Sequence, residues 1–79
     1  MKVSILSLRG VEYRGEAKSL NVKTKAGEIT ILDHHRPLIT ILKPGTAILT
    51  TQDGKVLEKE IHSGFLEMNP ENQLSLLID

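Results

Sequence analysis

Cysteine is absent from the 79 residues, which excludes a disulfide framework, thiolate metal sites and a cysteine nucleophile together. Aromatics are nearly absent as well: there is no tryptophan, and Tyr13 and Phe65 stand alone at 3% of the chain. Small β-domains that bind single-stranded nucleic acid stack bases on exposed aromatics in a basic groove, so that class loses its platform. It also loses its field, because ten Lys and Arg against ten Asp and Glu leave no formal net charge. No nucleic-acid partner is expected. Long apolar runs are lacking too, and nothing approaches the ~20 residues of a membrane helix. The apolar start from Val3 to Leu8 is broken by Ser4 and Ser7 and stops at Arg9-Gly10, short of the ~7–15 apolar residues at the centre of an export signal. A soluble protein of a reducing compartment is the default expectation. The six glycines are scattered singly, without the G-x-G-x-x-G or G-x-x-x-x-G-K-[ST] spacing that cradles phosphate at a helix start.

What is present suffices to fold. The chain is 39% hydrophobic and 25% charged, ordinary for a globular domain, and its length allows one domain over residues 1–79. Such a small domain hides only ~60% of the surface of its unfolded chain, so burial of Leu, Ile and Val must supply most of the stability. Turn signals recur at Arg9-Gly10, Arg14-Gly15, Lys25-Ala26-Gly27, Asp33 to Pro37, Pro44-Gly45, Asp53-Gly54, Ser63-Gly64 and Asn69-Pro70. The segments between them have strand lengths and carry the branched aliphatics that suit a pleated surface, as in Leu38-Ile39-Thr40-Ile41-Leu42. Leu20, Val22 and Thr24 alternate strictly with polar residues, and Lys18, Lys23 and Lys25 read as a polar strand face.

Two turns have a specific expectation. Asp53-Gly54 predicts a two-residue type I′ turn joining a hairpin over residues 46–62, since both central positions then take positive φ. Pro44-Gly45 predicts a type II turn that reverses the chain again. The run from Lys55 to His62 also has helical spacing at Val56, Leu57, Glu60 and Ile61, with Glu58 and His62 four apart. Its two-turn length and its place after a hairpin turn favour a strand. Short, regularly spaced strands point to an antiparallel sandwich or small barrel.

Candidate chemistry is sparse. Asp33, His34, His35 and His62 are metal-ligand types, but neighbours on an extended chain point to opposite sides, so His34 and His35 share an ion only from a contorted loop. No metal site is expected, and solvated loop residues are the plainer reading. Ser4, Ser7, Ser19, Ser63 and Ser75 lack a G-x-S-x-G elbow or any other local sign of activation. The residues point to a binding module or assembly component rather than an enzyme.

The run Gly27-Glu28-Ile29-Thr30-Ile31-Leu32-Asp33-His34-His35-Arg36-Pro37-Leu38-Ile39-Thr40-Ile41-Leu42-Lys43-Pro44-Gly45 closely resembles the signature of the ε subunit of rotary F-type ATP synthases, roughly G-E-F-G-I-L-P-G-H-A-P-L-L-T-A-L-K-P-G. Ser63-Gly64-Phe65-Leu66-Glu67-Met68-Asn69-Pro70 resembles that family's G-G-F-L-E-V-x-P. Gly15-Glu16-Ala17-Lys18-Ser19-Leu20 is similar to its G-E-V-x-S-V, and Leu74 to Asp79 to its closing V-T-V-L-A-D. Thr30 stands where the family has glycine, and Asp33-His34 where it has Pro-Gly. These departures leave the conformation of that loop open.

The resemblance implies an all-β domain, a flattened antiparallel β-sandwich of about ten short strands. It implies a non-catalytic central-stalk subunit, without cofactor, that couples the γ shaft to the membrane rotor ring. The subunit would sit peripherally at the cytoplasmic face of a bacterial membrane. The family's ring-contacting Gly-Glu and histidine loops map onto Glu28 and His35, although Glu28 could equally be a hairpin charge and His35 could cap its own loop. Ile39, on the strand leaving the histidine loop, is the nominated γ contact. The family usually continues with two helices that inhibit and, in some members, bind ATP, so a sequence stopping at Asp79 is either a short form limited to assembly and torque coupling or a piece from which the regulatory helices have been cut. An ε-like protein-binding or metal-binding sandwich outside the synthase is the alternative.

Overall fold

The alternation of apolar and polar residues runs through nearly every strand. In the computed structural model, which describes residues 1–79, it becomes a single buried cluster of 16 side chains. The eight strands are β1 (Lys2–Ser7), β2 (Gly10–Thr24), β3 (Gly27–Leu32), β4 (Leu38–Leu42), β5 (Gly45–Thr51), β6 (Val56–Ile61), β7 (Gly64–Met68) and β8 (Gln73–Ile78). Val3 and Ile5, Leu66 and Met68, and Leu74, Leu76 and Ile78 enter the core at every second position, as a strand with one dry face requires. Leu20, Val22 and Thr24 are buried as their alternation predicts. Lys18, Lys23 and Lys25 are exposed.

The strands pair in the order β1-β8-β7-β4-β2-β5-β6, with β1 also pairing β2, and β3 lying beside β2. Strand β2 belongs to both layers. Its first half pairs with β1 and its second half with β3 and β5. The switch is made at a bulge between Ala17 and Ser19, which also changes the phase, so that Ala17 and Leu20, three apart, are both buried. The all-β sandwich expectation holds, with two corrections. There are eight strands, not about ten, and β2 runs unbroken through its bulge. The sheet is also not wholly antiparallel, because β1 and β8 pair in parallel, Val3 opposite Leu74 and Ile5 opposite Leu76.

Residues 46–62 form the expected hairpin, β5 with β6, and Lys55 to His62 takes no helical turn. Its turn is not type I′. Asp53 keeps a negative φ and only Gly54 is positive, at 88°. The loop has three residues, with the Gly54 N–H donating to the Thr51 carbonyl at 3.0 Å and the Thr51 N–H to the Lys55 carbonyl at 2.8 Å. A Thr51 hydroxyl that donates to the Asp53 carboxylate favours this wider turn over one that would force Asp53 left-handed. The Pro44-Gly45 turn also differs from the type II expectation. Gly45 has φ 156°, far from the ~+80° of that turn, because it already pairs with Ile61 as the first residue of β5. Strands β4 and β5 do not pair with each other; the turn carries the chain from the β7 layer to the β2 layer.

Candidate partner-binding surface

The outer face of β1, β8, β7 and β4 follows from cross-strand register. Leu6 lies opposite Leu77, Leu77 opposite Phe65 and Phe65 opposite Ile41. Three strand spacings of ~4.8 Å make this an apolar row about 14 Å long. A second row runs beside it, Ser4-Ser75-Glu67-Ile39. Ile39 is 74% exposed, Phe65 56%, Leu77 55% and Ile41 47%, so four large apolar side chains meet solvent together where scattered single ones would be ordinary. Of these only Ile39 was singled out from sequence. Ile41 was legible through the period of two along β4, but Phe65 and Leu77 join the patch only through β7 and β8.

Glu28 and His35 are not brought together. Glu28 pairs with Lys23 beside the β2–β3 turn, whereas His35 lies in the loop after the far end of β3. The strand between Glu28 and Leu32 alone spans about 13 Å at ~3.3 Å per residue. Glu28 is exposed. The turn next to it is held by Thr24, buried yet satisfied, whose hydroxyl donates to the Gly27 carbonyl at 2.7 Å and accepts the Ala26 N–H at 3.1 Å. His35 is half-buried, and its Nδ1 donates to the Arg36 carbonyl at 2.8 Å.

The histidine loop keeps a glycine-like backbone in spite of its sequence. His34 has φ 59°, the left-handed region that glycine occupies without cost. It is held there by its N–H, which donates to Asn72 Oδ1 at 2.7 Å, while Asn72 Nδ2 donates to Asp33 Oδ1 at 3.2 Å. The α-amino group of Met1 donates to the same Asp33 carboxylate and, at 3.1 Å, to the Ala17 carbonyl. Those hydrogen bonds from the amino group and from Asn72 hold the Asp33 carboxyl below the ordinary carboxylate range. Asp33 is therefore engaged in joining the N-terminus to two loops. His62 follows β6 at the opposite end from His34 and His35, and no three His, Asp or Glu side chains converge as a metal site.

A cleft of about 230 Å³ opens into the core between Ile5, Tyr13, Leu20, Leu49 and Leu57. At its rim Lys59 donates to Glu12 at 2.5 Å, and Ser7 Oγ donates to the other Glu12 oxygen at 2.6 Å. The Lys59 contact, then the Ser7 contact, lowers the Glu12 carboxyl from its ordinary range.

Residues 1–79 match the family described as "ATP synthase, Delta/Epsilon chain, beta-sandwich domain". The chain belongs to this family. Among its relatives, the ATP synthase epsilon chain of Xanthomonas campestris pv. campestris is 37% identical over 79 residues, 100% of this chain and 56% of the relative. The ATP synthase epsilon chain of Aquifex aeolicus is 37% identical over 76 residues, 96% of this chain and 56% of the relative. The chain thus spans about half the length of these epsilon chains. Its fold resembles a chain of the Euglena gracilis mitochondrial ATP synthase, in a structure of OSCP, F1 and the c-ring, with TM-score 0.89 and 19% identity over 96% of this chain and 48% of that one. A chain of the Tetrahymena thermophila mitochondrial ATP synthase central stalk and c-ring is similar, with TM-score 0.83 and 14% identity over 99% of this chain and 62% of that one. No helix of the chain is long and apolar enough to cross a membrane.

Proposed function

We propose that this domain is a non-catalytic rotor component of an ATP synthase, binding the γ shaft subunit and the membrane rotor ring so that rotation passes between them without slip. The observation that carries the reading is the four-strand apolar row Leu6-Leu77-Phe65-Ile41 with Ile39 beside it. A rotor joint has to be static, and an apolar face covered by a partner meets that need better than rim charges, which contribute only ~0–1 kcal/mol each. The γ contact is assigned to this face, with Ile39 in it. The ring contact is assigned to Glu28 and His35. Because they flank β3, a strand paired on one side only, a ring touching both lies along the β3 edge and not against one end of the sandwich. In a bacterium this places the domain peripherally at the cytoplasmic face of the membrane.

Reconstitution with γ and the ring from the same source tests the reading. Ile39→Asp is expected to release γ, because it puts a charge into the apolar contact, and a stable joint should bury more than ~1,000 Å² in total. Glu28→Ala with His35→Ala should keep γ and weaken the ring contact by ~0.2–1 kcal/mol for the exposed charge. A wild-type domain that fails to join γ at micromolar concentration refutes the coupling role. Loss of γ by the loop variant alone reverses the two assignments.

A further inference from the structure

The apolar outer face has one carboxylate within it, with Lys2 at its β1 margin opposite Gln73. Glu67 stands between Ile39 on β4 and Ser75 on β8 in the second cross-strand row. Its carboxylate makes no ion pair, and neither it nor the Ser75 hydroxyl makes a hydrogen bond within the chain: the acids in ion pairs are Glu12, Glu16, Asp33 and Asp53. The two polar groups sit in a dimple of about 150 Å³ with Ile39, Phe65 and Leu77 around it and the buried Leu66 beneath. If an apolar surface covered this face, the carboxylate would be left unpaired out of water, which costs far more than a lost surface contact. A partner that covers the face must therefore bring a cation to this point.

We infer that the dimple is a socket for an arginine side chain of the γ-like partner, the guanidinium meeting Glu67 and Ser75 while its stem packs on Ile39, Leu77 and the Phe65 ring. Arginine fits better than lysine because its planar fork bonds a carboxylate in two places and stacks on an aromatic face. The partner surface is thus an apolar strip with one basic residue set within it. A wholly apolar surface would leave Glu67 stranded, and an acidic one would repel it, so Glu67 acts as the selector for this face. The assignment of the partner rests on the γ contact proposed above; the chemistry of the socket does not.

Two measurements separate these. In titration calorimetry with γ from the same source, Glu67→Gln should weaken binding ~10–100-fold, the effect of losing one charge-assisted contact. Glu67→Lys should weaken it further, and raised salt should weaken the wild type more than Glu67→Gln. Both side chains point outward, so thermal unfolding should be unchanged. In the second measurement, the isolated domain is titrated by NMR with N-acetyl-arginine amide and N-acetyl-norleucine amide at about 50 mM, enough to populate a millimolar site. The arginine compound alone should move the Phe65 ring and Ser75 amide signals, and Glu67→Gln should abolish the shift. Glu67→Gln binding γ within about threefold of wild type overturns the inference while leaving the γ contact standing. If γ does not bind the wild type at all, the γ reading falls, and an arginine compound that moves no signal then overturns the socket as well.

Discussion

Residue by residue, the charged side chains of this domain tie loops together. Asp33 joins the N-terminus to the β7–β8 turn through Asn72, Glu12 joins β2 to β6 through Lys59, and Asp79 joins the chain end to Ser63. Hydrogen bonds to the ionised form lower all three carboxyls, and the Thr51 hydroxyl does the same for Asp53. A carboxyl lowered in the folded state contributes stability that is fully present above its unfolded value and is lost as pH falls through the folded one. The unfolded values are 4.5 for Glu12 and 3.8 for the three aspartates. Urea unfolding should therefore give a free energy that is flat from neutral pH down to about 5 and falls below that. Asp33→Asn should be less stable at pH 7 and should lose less on acidification. A wild-type free energy that does not decline by pH 3 contradicts the role given to these pairs.

Among the elements, strand existence was legible because aliphatic runs bounded by turn residues have only one economical conformation, and the period of two in β2 identified its buried face. Turn geometry was less legible. Asp53-Gly54 has the composition of a two-residue turn, yet the Thr51 hydroxyl two residues back selected a three-residue one. Asp33-His34 lacks the resembling family's Pro-Gly, yet the backbone is left-handed at His34 because Asn72, 38 residues away, holds it. Glycines separate in the same manner. A Cβ on Gly64 would stand 2.1 Å from the Leu77 carbonyl oxygen, where β7 pairs with β8, whereas a Cβ on Gly54 meets nothing within 4 Å. Gly64→Ala should cost about 2–4 kcal/mol, from backbone displacement and a φ of 150°. Gly54→Ala should cost only ~1 kcal/mol, for its left-handed φ alone. Urea midpoints compare the two directly, and near-equal losses would show that the β7–β8 approach is looser than the structure describes.

At the scale of the whole molecule, the apolar outer face and the β3 edge are open surfaces, as is the β6 edge. The sequence has no phosphate-binding motif, and the cleft that opens into the core is rimmed by Glu12 and Lys59, which already satisfy each other. Calorimetric titration of the domain with Mg-ATP should accordingly be flat. Saturable binding with a dissociation constant below about 100 μM, worth ~5.5 kcal/mol, would demand a nucleotide site on the sandwich and set the non-catalytic reading aside.

By itself the sequence determined the all-β class, the hairpin over residues 46–62 and the inward face of the second half of β2, because these depend on nearest-neighbour stereochemistry and on the period of side chains along one chain. It also carried the family, through ordered motifs at Gly27 to Gly45 and Ser63 to Pro70. The tertiary structure alone decided that β1 and β8 run parallel and that Glu28 and His35 lie apart. It alone assembled Leu6, Ile41, Phe65 and Leu77 into one surface with Glu67 beside them. Those relations join residues up to 71 positions apart, Leu6 to Leu77, and they depend on which strand edges pair once the core has closed, for which no local pattern in the chain carries a signal.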